Sequence, residues 1–74
     1  MSGTLDQLPL GCSAHVSALH LRGRMRQRLQ DLGFIPGVCV TAVLQSPLGD
    51  PIAYQLLDTV IALRRDDAAQ IEIL

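Results

Sequence analysis

The sequence has no tryptophan, one phenylalanine and one tyrosine, so aromatic residues make up 3% of its 74 positions. That scarcity excludes two function classes. Binding of single-stranded nucleic acid relies on rings on which bases stack, and a polyproline groove is lined with aromatics. Lysine is absent; the six basic residues are all arginines and face seven acidic ones, for a net charge of −1. Such a balance gives no general pull toward nucleic acid or an anionic membrane. Cys12 and Cys39 are the two cysteines, too few for a disulfide framework. Free thiols in a reducing cytoplasm are the simpler reading, and a single bridge is the alternative. No apolar run approaches the roughly 20 residues of a helical membrane span. Residues 1–6 lack the basic start and apolar run of a secretory signal. A cytoplasmic protein without direct membrane insertion is expected.

What is present is aliphatic. Apolar residues reach 49%, almost all Leu, Ile, Val and Ala. A chain this short makes one domain, residues 1–74, and buries only about 60% of its unfolded surface. That leaves little room for a core plus an enclosed catalytic pocket, so a non-enzyme is expected. Part of the aliphatic surplus must remain outside. It is either ordinary surface or a partner contact.

Turn chemistry sets the layout. Gly33 can close a last helical turn in the left-handed conformation, Phe34 can fold back onto that turn, and Pro36 forbids continuation. Residues 47–51, Pro-Leu-Gly-Asp-Pro, form a turn between two apolar runs. Residues 5–11 read as a short turn broken by Pro9 and Gly11. Residues 13–21 read as a strand, with Ala14, Val16 and Ala18 on one face and His15 and Ser17 on the other. Residues 24–32 read as a minimal amphipathic helix with Met25, Leu29 and Leu32 inward. Strands follow at 38–44, with Val40 and Ala42 inward, and at 52–56, with Ile52, Tyr54 and Leu56 together. Leu57, Asp58 and Thr59 make a tight turn, Asp58 taking the unusual backbone angles. Residues 60–63 return as a fourth strand, 66–69 form one helical turn, and Ile71 and Ile73 belong to a closing strand. The fold class is therefore mainly β with one or two short helices: five strands in a small, partly open SH3-like barrel. An OB-like barrel is the alternative.

Charge placement offers one candidate site. Arg22, Arg24, Arg26 and Arg28 crowd the approach to the helix and its first turns, where cations oppose the helix dipole by roughly 0.3–1 kcal/mol each. A local rule broken without local gain often marks function. The arrangement suits a carboxylate-rich partner surface or a phosphate. The competing reading is a solvated face whose arginine stems cover leucines, which fits Arg26 best, while Arg28 is expected to be held by a structural hydrogen bond. The candidate docking residues are Leu21, Arg22, Arg24, Arg26 and Gln27.

Metal chemistry has four candidate ligands, Cys12, His15, His20 and Cys39. Cys12 and His15 have two residues between them, but no second half of a zinc motif follows. Two surface histidines and two small apolar cysteines are the plainer reading. No cofactor is required; a divalent metal, adventitious or regulatory, is the alternative. A Cys–His pair lacks a glycine-rich elbow or a third orienting group for nucleophilic catalysis.

Arg28-Leu29-Gln30-Asp31-Leu32-Gly33, then Ile35-Pro36-Gly37, Gly49-Asp50-Pro51, Ala62-Leu63-Arg64 and Ala68 together resemble the FeoA family of ferrous iron transport proteins. The match in order and spacing runs from about Leu8 to the last residue. The resemblance implies a small cytoplasmic SH3-like protein that supports ferrous iron uptake. It implies as partner the membrane ferrous iron transporter FeoB, with its cytoplasmic G-protein domain. The same module is similar to the C-terminal domain of iron-dependent repressors of the diphtheria toxin repressor type, which keeps a metal-binding or metal-sensing role as the alternative. No winged-helix segment precedes it here, so a free-standing protein is expected. Gly33, Pro36, Gly37, Gly49, Asp50, Pro51, Leu63 and Arg64 carry over as fold-defining positions. Asp58 departs from the glycine or basic residue of many relatives.

Overall fold

The computed structural model describes residues 3–74; Met1 and Ser2, the start of the stretch read as lacking a secretory signal, lie outside it. Six strands form: β1 (Gly3–Thr4), β2 (Ser13–Leu19), β3 (Cys39–Gln45), β4 (Ile52–Leu56), β5 (Thr59–Leu63) and β6 (Ile71–Ile73). Two helices, α1 (Gly23–Leu32) and α2 (Arg65–Ala68), and a 3-10 turn at Leu5–Gln7 complete the chain. All pairings are antiparallel, in the order β1-β6-β2-β3-β4-β5. β2 pairs with both β3 and β6, so two sheets share it and fold over one core. The two ends, β1 and β5, do not meet, and the barrel stays open.

The sixth strand, β1, corrects the expected five. Two residues carry no alternation to read, and only the register Gly3↔Ile73 and Thr4↔Glu72 makes them a strand. In β2, Ala14 and Val16 point inward as expected, but the register shifts between Val16 and Ala18, so Leu19 is buried in place of Ala18. The extra residue of a bulge breaks the two-residue alternation of the side chains. β4 keeps that period, with Ile52, Tyr54 and Leu56 buried, and β3 keeps it through the buried Val40 and Ala42 until its own register shift before the exposed Leu44.

At the tight turn between β4 and β5, Leu57 rather than Asp58 takes the positive φ, at 54°. Gly33 behaves as its sequence demands. At φ 112° it caps α1 and donates to Gln30, while the Phe34 N–H reaches the Leu29 carbonyl at 2.9 Å and the ring is fully buried. A β-carbon there would lie 3.2 Å from Leu57 Cδ1. Of the three apolar α1 positions, only Leu29 is buried; Met25 and Leu32 stay partly exposed. The apolar contact of the helix with the sheet therefore rests on Leu29 and its capping phenylalanine.

Tyr54 pins the far end of the core. Its hydroxyl donates to the Leu5 carbonyl at 3.2 Å, holding the 3-10 turn against β4. Burial, helped by the Asp6 charge and opposed by Arg65, pushes its pKa up to about 12. The Asp50–Pro51 peptide bond is cis, and Asp50 Oδ1 accepts the Arg65 N–H at 3.0 Å, joining the 47–51 turn to the start of α2.

Candidate functional site

The approach to α1 is built by an inside-to-outside switch along consecutive residues. Leu21, only 4% exposed, is packed into the core, and the chain then turns out so that residues 22–28 are all exposed. Leu21 thus anchors this surface from below and presents no side chain to a partner. Arg22 occupies the N-cap position with extended angles, φ −133° and ψ 166°, and makes no capping hydrogen bond. No acidic residue stands in the first turn. The free N–H groups of the helix start and the guanidinium groups of Arg22 and Arg24 therefore add their positive potential at one place.

Arg26 and Arg28 exchange the roles expected of them. Arg26 Nη1 donates to the Leu19 carbonyl at 3.3 Å, tying α1 to the end of β2. Arg28 makes no such bond among the described residues. It lies on a groove of about 240 Å³ between α1 and β5, with Met25 and Leu32 beside it and Ile61, Arg64 and Asp67 opposite. A helix lying along the sheet must present Arg26 toward β2, a geometry that helical spacing alone does not reveal. Gln27 Nε2 bonds Asp31 Oδ1 at 3.0 Å, one turn along the helix. Among the described residues the one ion pair is His20–Glu72, at 3.1 Å, and none of Arg22, Arg24, Arg26 and Arg28 pairs with a carboxylate there.

The four candidate metal ligands are not gathered. His15 and Cys39 are direct register partners on β2 and β3, both exposed. Cys12 is exposed with a free thiol, and His20 is engaged with Glu72, which also accepts from Ser17 at 3.3 Å. Among the described residues no three His, Cys, Asp or Glu side chains stand together as metal ligands. A cross-strand Cys–His pair supplies two ligands, half the four of a structural zinc site. The groove beside Arg28 escaped sequence reasoning; its trace was the apolar pair Met25 and Leu32, read as core.

Fold and surface together define a class: a small, open SH3-like domain that carries an arginine-bearing helix on its outside. The FeoA domain model matches residues 3–74, and the chain belongs to the FeoA family of ferrous iron transport proteins. It is 39% identical over 69 residues to a fusion of Fe(2+) transport protein A with the Fe(2+) transporter FeoB from Porphyromonas gingivalis. That match takes in 93% of this chain and 8% of the fusion protein. The iron(II) transport protein A of Clostridium thermocellum superposes with a TM-score of 0.89 at 34% identity, over 95% of this chain and 43% of that one. The Stenotrophomonas maltophilia FeoA, a prokaryotic SH3 domain protein complexed with zinc, gives 0.84 at 35% identity, over 96% and 88%. No helix among the described residues is long and apolar enough to cross a membrane.

Proposed function

We propose that this protein is a cytoplasmic accessory domain that acts without catalysis, docking on the ferrous iron transporter FeoB and modulating it. The observation that carries this reading is the set of four arginines, 22, 24, 26 and 28, none of them in an ion pair among the described residues, at a helix start that has no acidic cap. Charges arranged this way raise the rate of encounter with a carboxylate-rich surface, such as one on the G-protein domain of the transporter. Adjacent aliphatic surface then supplies affinity by burial. The Porphyromonas gingivalis fusion supports the pairing, because it carries both parts in one chain. Leu21 contributes by holding the strand-to-helix corner rigid, which keeps the arginine array in one geometry.

Co-purification with the full membrane transporter tests the reading. Arg24→Glu with Arg26→Glu should reduce capture about tenfold at low salt, with a smaller loss at high salt, where exposed charges are screened. Arg24→Glu alone keeps the Arg26 bond to Leu19 and should give part of the loss with an unchanged circular dichroism spectrum. Capture that is indifferent to both variants would remove this surface from the interaction.

A further inference from the structure

The open barrel leaves an edge that the chain does nothing to protect. β5 ends the strand order and reads Thr-Val-Ile-Ala-Leu, without a charge, a proline or a glycine. Proteins usually blunt such an edge with lysine, proline or a bulge. The register Leu56↔Thr59 across a two-residue turn makes Thr59, Ile61 and Leu63 the residues that bond to β4. The N–H and C=O groups of Val60 and Ala62 therefore face outward. The opposite end of the sheet is β1, two residues long.

We propose that β5 pairs antiparallel with β5 of a second copy, on a two-fold axis through Ile61. The self-complementarity follows from the sequence. With Ile61 opposite its own equivalent, Val60 meets Ala62 of the second copy and Ala62 meets Val60. Each of these two pairs can exchange both of its outward hydrogen bonds. The same register sets Asp58 opposite Arg64 of the second copy, at both ends of the uncharged run. Val60 and Ala62 share one face of the extended sheet, Asp58 in the β4–β5 turn and Arg64 just past β5 flank them, and all four are exposed in the single chain. A shift of the axis by one residue would lose the opposition of unlike charges. α1 lies across a groove that Met25 and Leu32 share with Ile61, Ala62 and Leu63, and among the described residues no backbone hydrogen bond from outside the sheet reaches Val60 or Ala62. Two short strands make a small interface, which belongs to the weak, reversible class. The pairing is independent of the docking reading above.

Sedimentation and amide exchange of the full chain, followed from micromolar to millimolar concentration, test the pairing. A reversible dimer is expected, with the Val60 and Ala62 amides gaining protection only as concentration rises. Asp58→Arg places like charges opposite each other twice and should weaken the dimer about tenfold; adding Arg64→Asp should restore it. Val60→Pro removes an outward N–H that β4 does not use and should leave a folded monomer. If that variant fails to fold, the charge swap still decides. A monomer at millimolar concentration, with both amides exchanging freely throughout, overturns the proposal and would assign the edge to a strand of another protein. A dimer that ignores the reversal, or that the swap fails to restore, overturns the register and the proposal with it.

Discussion

Single residues divide into those whose chemistry fixes a conformation and those whose role depends on a distant neighbour. Gly33 and Phe34 are of the first kind, and their capping geometry was legible from a five-residue window. Leu57 is of the second. Asp58 is the better intrinsic candidate for a positive φ, yet the register of β4 on β5 places Leu57 at the position that requires it. Tyr54 carries a pH signature. Its pKa rises from 10 in the unfolded chain to about 12 in the fold. Below pH 10 both states hold the phenolic proton and its contribution is complete. Between pH 10 and 12 the unfolded chain ionises first, so stability falls by roughly 1.4 kcal/mol per pH unit, about 2–3 kcal/mol in all. Urea denaturation across that range should show the loss, and Tyr54→Phe should abolish it while costing about 1 kcal/mol at neutral pH.

Among the elements, β4 and the first half of β3 were the most readable, because strict alternation survives up to the register shift between Ala42 and Leu44. β2 was readable only to Val16, since a register shift is a property of two strands and leaves no mark on one. The helix was placed within a residue, but its buried face was overstated. Met25 and Leu32 satisfy the spacing of an inward face, yet they line the open groove between α1 and β5 and stay exposed. Helical spacing likewise does not tell that Arg26 reaches the Leu19 carbonyl while Arg28 lines that groove. α1 therefore depends heavily on Leu29. Truncation to alanine should cost about 2–5 kcal/mol, as for other buried leucines. It should release α1 before the sheet, so helical ellipticity and the protection of its amides should fall at temperatures where β2, β3 and β4 remain protected. Simultaneous loss of all elements would show the helix to be part of the sheet's own cooperative unit.

For the molecule as a whole, the open SH3-like class and the family were both legible, the first from strand lengths and turn spacing, the second from two turn blocks in order. The sixth strand was not, because backbone pairing alone defines it. The candidate surface was legible in part. Four arginines at a helix start stand out in any reading, but whether they are neutralised depends on carboxylates elsewhere in the chain, and only the fold shows that none forms an ion pair with them among the described residues. Leu21, grouped with them by adjacency, belongs to the core.

The pairing of β1 with β6 brings Gly3 and Ile73 opposite each other, one strand spacing apart, about 5 Å. A bridge of a few residues can join them. New ends could then open in the 47–51 turn, where Leu48 is 94% exposed. Such a circular permutant should keep the same strand order, measurable by its amide pattern, because a connection there holds no part of the core. The module is in this sense a loop whose point of opening its fold does not prescribe.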